Sequence, residues 1–145
     1  MAAARRADVT WQGDLLTGGG VVTAGTSRAF NALPVTWASR TESPQGKTSP
    51  EELIAAAHAS CFTMALSLIL GEAKLTAEQM DTSAEVTLEQ AEGGYAVTAV
   101  HLTLKAKIPG ADQATFETLA AKAKAGCPVS KLLKAEITLH ASLVS

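Results

Sequence analysis

The chain has 145 residues, a net charge of −2 and a 47% hydrophobic composition. That length allows one domain with a real core. The near-neutral balance, with no run of five or six like charges, gives no electrostatic footprint for nucleic acid. Two cysteines are too few for a secreted disulfide scaffold.

The N-terminal stretch "MAAARRADVTWQGD" holds two arginines with no apolar segment behind them, so it does not read as a secretory signal, and a cytoplasmic protein is expected. "DVTWQGD" reads as a strand, "TGGG" as a turn, and "VVTAGTS" and "PVTWAS" as further strands or edges. Thr41 to Pro50 is a loop rich in Ser, Pro and Gly.

A long helix follows. Ser49 fits the N-cap, Pro50 the first helical position and Glu52 the third, which makes a capping box. Gly71 fits the stop. The apolar run Leu53 to Leu70 is at the short end of what a bilayer span needs, and no aromatic belt or basic flank supports insertion. It reads as a buried helix, with no membrane partner. Its apolar residues wrap most of the way round, so cover is expected on nearly every side. A small chain struggles to supply that alone, and an obligate homodimer with these helices packed together is expected.

Thr82 to Gln90 alternates polar and apolar residues, "AEGG" is a turn, and the following strand places Ala96, Val100, Leu102, Leu104 and Ile108 at even positions. The pair reads as a long antiparallel hairpin. A second helix is predicted from about Asp112 to Ala125, with Phe116, Leu119, Ala120 and Ala123 on one face. Cys127 and Pro128 open a short helix through about Lys134, and "EITLHASLV" closes the chain as a strand. This order predicts an α+β fold with mostly antiparallel sheet and one domain over residues 1–145. No GxGxxG or P-loop motif argues for a nucleotide.

The residues with chemical potential each have an ordinary reading. Cys61, in the middle of the long helix, can be a small buried hydrophobe. Cys127 precedes a proline that opens a helix, where a thiol loses its proton more readily, or it is simply a helix junction. His58 shares a helix face with Cys61 and can polarise it or be a satisfied core histidine. His-x-x-Cys is also metal spacing, but zinc wants four ligands, or three and water, and only Cys127 offers a third. Glu51 and Glu52 are capping acids, or join Arg40 in a charge relay around a thiolate.

"TSPEELIAAAHASCFTMALSLILGEA" and "AKAGCPVSKLLKAEITL" resemble the two cysteine motifs of the osmotically inducible protein C family (OsmC), related to the organic hydroperoxide resistance proteins (Ohr). "WQGDLLTGGGVVT" resembles the family's N-terminal hairpin. The resemblance covers nearly the whole chain from about Trp11. It implies an OsmC-like fold, mostly antiparallel sheets around a long buried central helix, in an intertwined homodimer with active sites at the subunit interface. It further implies a thiol peroxidase in which Cys61 is peroxidatic, Cys127 resolving, Glu51 the motif acid and Arg40, at the strand end before the loop, the arginine holding the thiolate. The Gly-Arg-Asp-Gly turn of the Ohr branch is absent. The implied substrate is an organic hydroperoxide and the implied reductant a dithiol, of lipoyl type, with no metal, haem or flavin required. Rival readings are a non-catalytic redox sensor, an apolar-ligand-binding protein of the same fold, and a zinc protein. Glu51 precedes Cys61 by ten positions, about 15 Å along one helix, so any service of Glu51 to the thiol is expected from a partner subunit.

Overall fold

Six strands and four helices run in the order β1 (Ala7–Gln12), β2 (Gly19–Ala24), β3 (Leu33–Val35), α1 (Trp37–Thr41), α2 (Pro50–Glu72), β4 (Gln79–Ala91), β5 (Gly94–Lys107), α3 (Gln113–Gly126), α4 (Pro128–Leu132) and β6 (Glu136–Val144). The structure is a computed structural model that describes all 145 residues. It divides into two compact units, Met1–Leu53 and Ile54–Ser145, with α2 beginning in the first.

In the first unit, β1, β2 and β3 form an antiparallel sheet in that order. The reversal between β1 and β2 comes earlier than the "TGGG" run suggests. Asp14 nucleates it: its carboxylate accepts from the Thr17 N–H at 2.7 Å and the Thr17 hydroxyl at 2.8 Å. Gly19 and Gly20 are then free to join β2. Gly20 pairs with Trp11, and a Cβ at Gly20 would come within 2.8 Å of the Trp11 ring, so only glycine fits. Every β1 residue is exposed, and Val22 and Ala24 are the buried hydrophobics of this sheet.

"PVTWAS" does not continue as a strand. β3 stops at Val35 because Thr36 caps α1. The Thr36 hydroxyl accepts from the Ser39 N–H and the Ser39 hydroxyl accepts from the Thr36 N–H, both at 3.0 Å. Ser39 also donates to the Thr48 carbonyl at 2.9 Å, tying the loop down. Arg40 therefore stands on the last turn of α1, not at a strand end.

Ser49 caps α2 as its sequence predicts, accepting from the Glu52 N–H at 3.1 Å. Glu52 accepts from the Thr48 hydroxyl at 2.7 Å, so the capping box closes on Thr48's side chain. The helix does not stop at Gly71. Lys74 takes the left-handed conformation, φ 62°. The Leu75 N–H reaches the Leu70 carbonyl at 2.8 Å and the Lys74 N–H the Gly71 carbonyl at 3.1 Å, a Schellman end.

In the second unit, α2 lays His58, Phe62, Leu66 and Leu70 into the interior at intervals of four, all essentially inaccessible to solvent. Phe62, Leu66 and Leu70 join Val100, Leu102 and Leu104 of β5 and Phe116 and Ala123 of α3 in the core. Even-numbered β5 residues from Val100 to Ala106 are buried and odd ones from His101 to Lys107 exposed, as the alternation predicts. Asp112 caps α3 through the Thr115 N–H at 2.7 Å, and Phe116, Ala120 and Ala123 form its buried face. Truncating Phe62 or Phe116 to alanine would cost about 3–5 kcal/mol.

The sheet order is β4-β5-β6. β4 and β5 form the expected antiparallel hairpin, with an irregularity after Thr87. β6 pairs parallel to β5, with α3 and α4 as the crossover. The other strand pairings are antiparallel.

By length and composition α2, 23 residues with a mean hydropathy of 1.9, could cross a bilayer. Its buried stripe is instead occupied by the core of the second unit. Cover on nearly all sides is not what one chain supplies: Met64 and Leu68 remain 73% and 66% exposed.

Candidate active site

Cys127 occupies the joint between α3 and α4. Its N–H donates to the Ala123 carbonyl at 2.9 Å, ending α3, and its carbonyl accepts from the Lys131 N–H at 3.1 Å, starting α4. Its extended conformation, φ −59° and ψ 126°, is the one Pro128 imposes on the residue before it. The break places a fully buried sulfur against α2.

There it meets Cys61. Both thiols are free, and Cys61 packs against the buried cluster that includes Cys127. Burial pushes the Cys127 thiol up, the neighbouring Cys61, Ser130 and Val129 groups pull it down, and the net shift is downward. Burial raises Cys61, and the nearby Cys127 raises it further. Only Cys61 is reachable: it is half-buried, while Cys127 is sealed. Cys61 opens on a groove of about 700 Å³ walled by Ala57, Met64, Ala65, Leu68 and Ile69 of α2 and by Lys122, Gly126 and Pro128.

His58, one turn before Cys61, is fully buried. Its Nε2 lies 2.7 Å from Ser130 Oγ, and its Nδ1 has no partner. Burial lowers its pKa below the ordinary 6.5, favouring neutral imidazole. Ser130 was not singled out in the sequence. It stands one turn after Cys127, and that i,i+3 spacing is the signal that could have found it.

The other two expected site residues also meet each other. Arg40 Nε lies 3.0 Å from Glu51 Oε1 and Arg40 Nη2 lies 2.9 Å from Oε2, a two-pronged pair. The guanidinium sits 5.9 Å from the Trp37 ring centre. The structure thus brings Cys61 together with Cys127 in one unit and Arg40 together with Glu51 in the other. Glu51 is no mere cap: its side chain is 9% exposed and its charge is matched. No three His, Cys, Asp or Glu side chains converge as a metal-binding group.

Residues 43–142 match the OsmC-like protein family. The chain belongs to the OsmC-like family. It is 46% identical to peroxiredoxin OsmC of Escherichia coli (strain K12) over the full length of both chains. It is 31% identical to the organic hydroperoxide resistance protein of Xanthomonas axonopodis pv. citri over 97 residues, 66% of each chain. Among solved OsmC-like structures, a protein from Legionella pneumophila described as an organic hydroperoxide resistance protein OsmC superposes with a TM-score of 0.68 at 27% identity, covering 97% of this chain and 99% of that one. An OsmC-like protein of unknown function from Vibrio cholerae has the same fold, with a TM-score of 0.76 at 17% identity over 97% and 99% of the two chains.

Proposed function

We propose that the protein is a cysteine-based peroxidase that reduces organic hydroperoxides to alcohols. The observation that carries this is the pairing of an accessible thiol, Cys61 on the wall of an apolar groove, with a sealed second thiol in the buried cluster it packs against. The full-length likeness to a protein named peroxiredoxin OsmC supports it.

In this reading the Cys61 thiolate attacks the distal peroxide oxygen. The O–O bond breaks, the alkoxide leaves and takes a proton to become the alcohol, and Cys61 becomes a sulfenic acid. Cys127 condenses with it, giving a disulfide and water, and a dithiol, of lipoyl type in this reading, restores both thiols by exchange. Ionising Cys61 requires a positive charge strong enough to overcome its burial. We assign that role to Arg40, oriented by Glu51, in a homodimer that covers the exposed stripe of α2. Apolar walls favour alkyl over hydrogen peroxide, at about 0.8 kcal/mol per buried CH₂, or about fourfold in rate per methylene.

The test is a free-thiol count and a non-reducing peptide map before and after one equivalent of cumene hydroperoxide. Loss of both thiols together into a dithiol-reversible Cys61–Cys127 disulfide is expected; two surviving thiols would end the proposal. The groove alone also suits an apolar-ligand carrier or a slow redox sensor, which would oxidise once and not turn over with dithiol.

A further inference from the structure

The two walls of the groove at Cys61 differ in charge. On α2, no Asp, Glu, Lys or Arg occurs between Glu52 and Glu72. The other wall is Lys122, Gly126 and Pro128, so both chain neighbours of Cys127 border the opening. Lys122 begins a stretch that holds Lys122, Lys124, Lys131 and Lys134 and no acid, bounded by Glu117 and Glu136. This concentration of positive charge falls in a chain whose net charge is −2.

The charges are unspent. The ion pairs within the chain, Arg6–Asp8, Arg40–Glu51 and Lys107–Glu78, use none of these lysines. Lys122, Lys131 and Lys134 are exposed, and Lys124 is half-buried with its Nζ 3.3 Å from the Ile137 carbonyl. Beside Lys131, Leu132 is 78% exposed. An apolar centre with a charged rim is how protein interfaces are built, the charges steering the encounter. The stretch has no aromatic side chain on which a nucleic-acid base could stack.

The chemistry of the groove says what must come to this place. Cys127 is fully buried and closed to attack from solvent. A Cys61–Cys127 disulfide is therefore open to a reducing thiolate only at the Cys61 sulfur, past the rim that Lys122 begins.

We propose that the lysine stretch from Lys122 to Lys134 is the docking surface of the reductant, and that the reductant is a dithiol carried on an acidic protein. The proposal rests on the peroxidase reading for the disulfide it reduces. One thiolate of the dithiol attacks the Cys61 sulfur. A bond to the reductant forms as the Cys61–Cys127 bond breaks, and Cys127 leaves as a thiolate and takes up a proton. The second thiol of the carrier loses its proton, attacks the carrier sulfur held on Cys61 and expels the Cys61 thiolate, which is protonated in turn. Two electrons and two protons pass from the dithiol to the protein, and the dithiol becomes a disulfide.

The experiment starts from the disulfide made with diamide, so that no hydroperoxide enters it. Reduction is followed with two synthetic peptides of equal length and the same two cysteines, one glutamate-rich and one glutamine-rich. Each rate is divided by that peptide's rate on hydroxyethyl disulfide, which removes differences in thiol reactivity. At low salt the acidic peptide is about tenfold faster, the lower end of electrostatic steering. The advantage disappears at about 1 M salt, where charges are screened beyond about 3 Å. Lys131→Glu with Lys134→Glu makes the acidic peptide the slower one, while reduction by uncharged dithiothreitol is unchanged, since both lysines lie outside the groove. The same charge change at Lys105 and Lys107, exposed on β5, leaves the preference in place. Equal rates for the two peptides, or a preference that survives charge reversal at Lys131 and Lys134, overturns the proposal. Charge reversal that slows only oxidation by a carboxylate-bearing hydroperoxide overturns it in favour of substrate binding. If diamide gives no Cys61–Cys127 disulfide, both this proposal and the peroxidase reading fall. A peptide preference in a protein that consumes no hydroperoxide upholds the docking surface and overturns the peroxidase reading alone.

Discussion

Arg40 and Glu51 grip each other at two points, 2.9 and 3.0 Å, and the carboxylate is the more buried partner, 9% exposed against 32%. Removing the arginine leaves the acid without its charge partner. Arg40→Ala should therefore destabilise the protein by about 1–3 kcal/mol, less than the 3–5 kcal/mol of a fully buried pair because the guanidinium still sees water. Arg40→Lys recovers part of this, since lysine lacks the planar fork. A lowered urea midpoint at unchanged slope is the readout. If Arg40 also supplies the charge for Cys61, peroxidase kcat/KM falls about hundredfold in Arg40→Ala, the scale of a lost electrostatic stabiliser.

Cys127→Ser should separate the two oxidation steps. Cys61 still reacts once with hydroperoxide, but with no second thiol the sulfenic acid persists and is trapped by dimedone, adding one label per chain by mass spectrometry. Cys61→Ser takes no label and consumes no peroxide. Labelling of Cys127 in that variant would reverse the assigned roles.

Met64 and Leu68 leave an apolar stripe of α2 in solvent, the kind of feature that marks an interaction surface when it is contiguous. Light scattering at micromolar concentration should give twice the chain mass, and Leu68→Lys should shift it toward a single chain. A monodisperse single-chain wild type would remove the homodimer from the account, and sedimentation with phospholipid vesicles would point to a membrane partner instead.

The buried imidazole sets an acid limit. His58 binds its proton less readily folded than unfolded, where its value is the ordinary 6.5. Below that value the unfolded chain holds more protons, so stability falls as pH falls and is fully present above it. Denaturant midpoints should drop as pH is lowered from 6.5 toward the depressed folded value, and His58→Gln should flatten that decline. An equal decline in His58→Gln would assign the acid sensitivity to other groups.

The elements with local signals were legible: the Ser49 cap, the start of α3 near Asp112, and the even-numbered stripe of β5, each visible in a few consecutive residues. What was missed depends on long-range partners or a weak local cue. The parallel pairing of β5 with β6 leaves no mark on either strand, although a helix between two strands is its general signature. α1 was hidden because Val35 and Trp37 read as strand formers, and the Thr36-to-Ser39 cap outweighed them in a helix of five residues. Gly71 misled because a glycine near the end of an apolar run is the usual stop, whereas Lys74 carries the left-handed turn here and the Leu70–Leu75 bond holds it there. At the site both cysteines were legible by motif. Ser130 was not, because its partner His58 is distant in the chain and only the fold brings them together.

The hydroxyls of α2 are turned inward on the helix itself: Ser60 donates to the Ala56 carbonyl at 2.7 Å, Thr63 to Ala59 at 2.7 Å and Ser67 to Thr63 at 3.0 Å. With their donors satisfied on the helix, these hydroxyls keep only acceptor lone pairs for water, and the stripe that includes Met64 and Leu68 is dominated by apolar side chains. An association driven by drying such a surface carries a negative heat-capacity change and weakens in the cold. If the proposed homodimer forms, chilled, dilute protein should dissociate before it unfolds, and storage temperature would set how much of it is assembled when an assay begins.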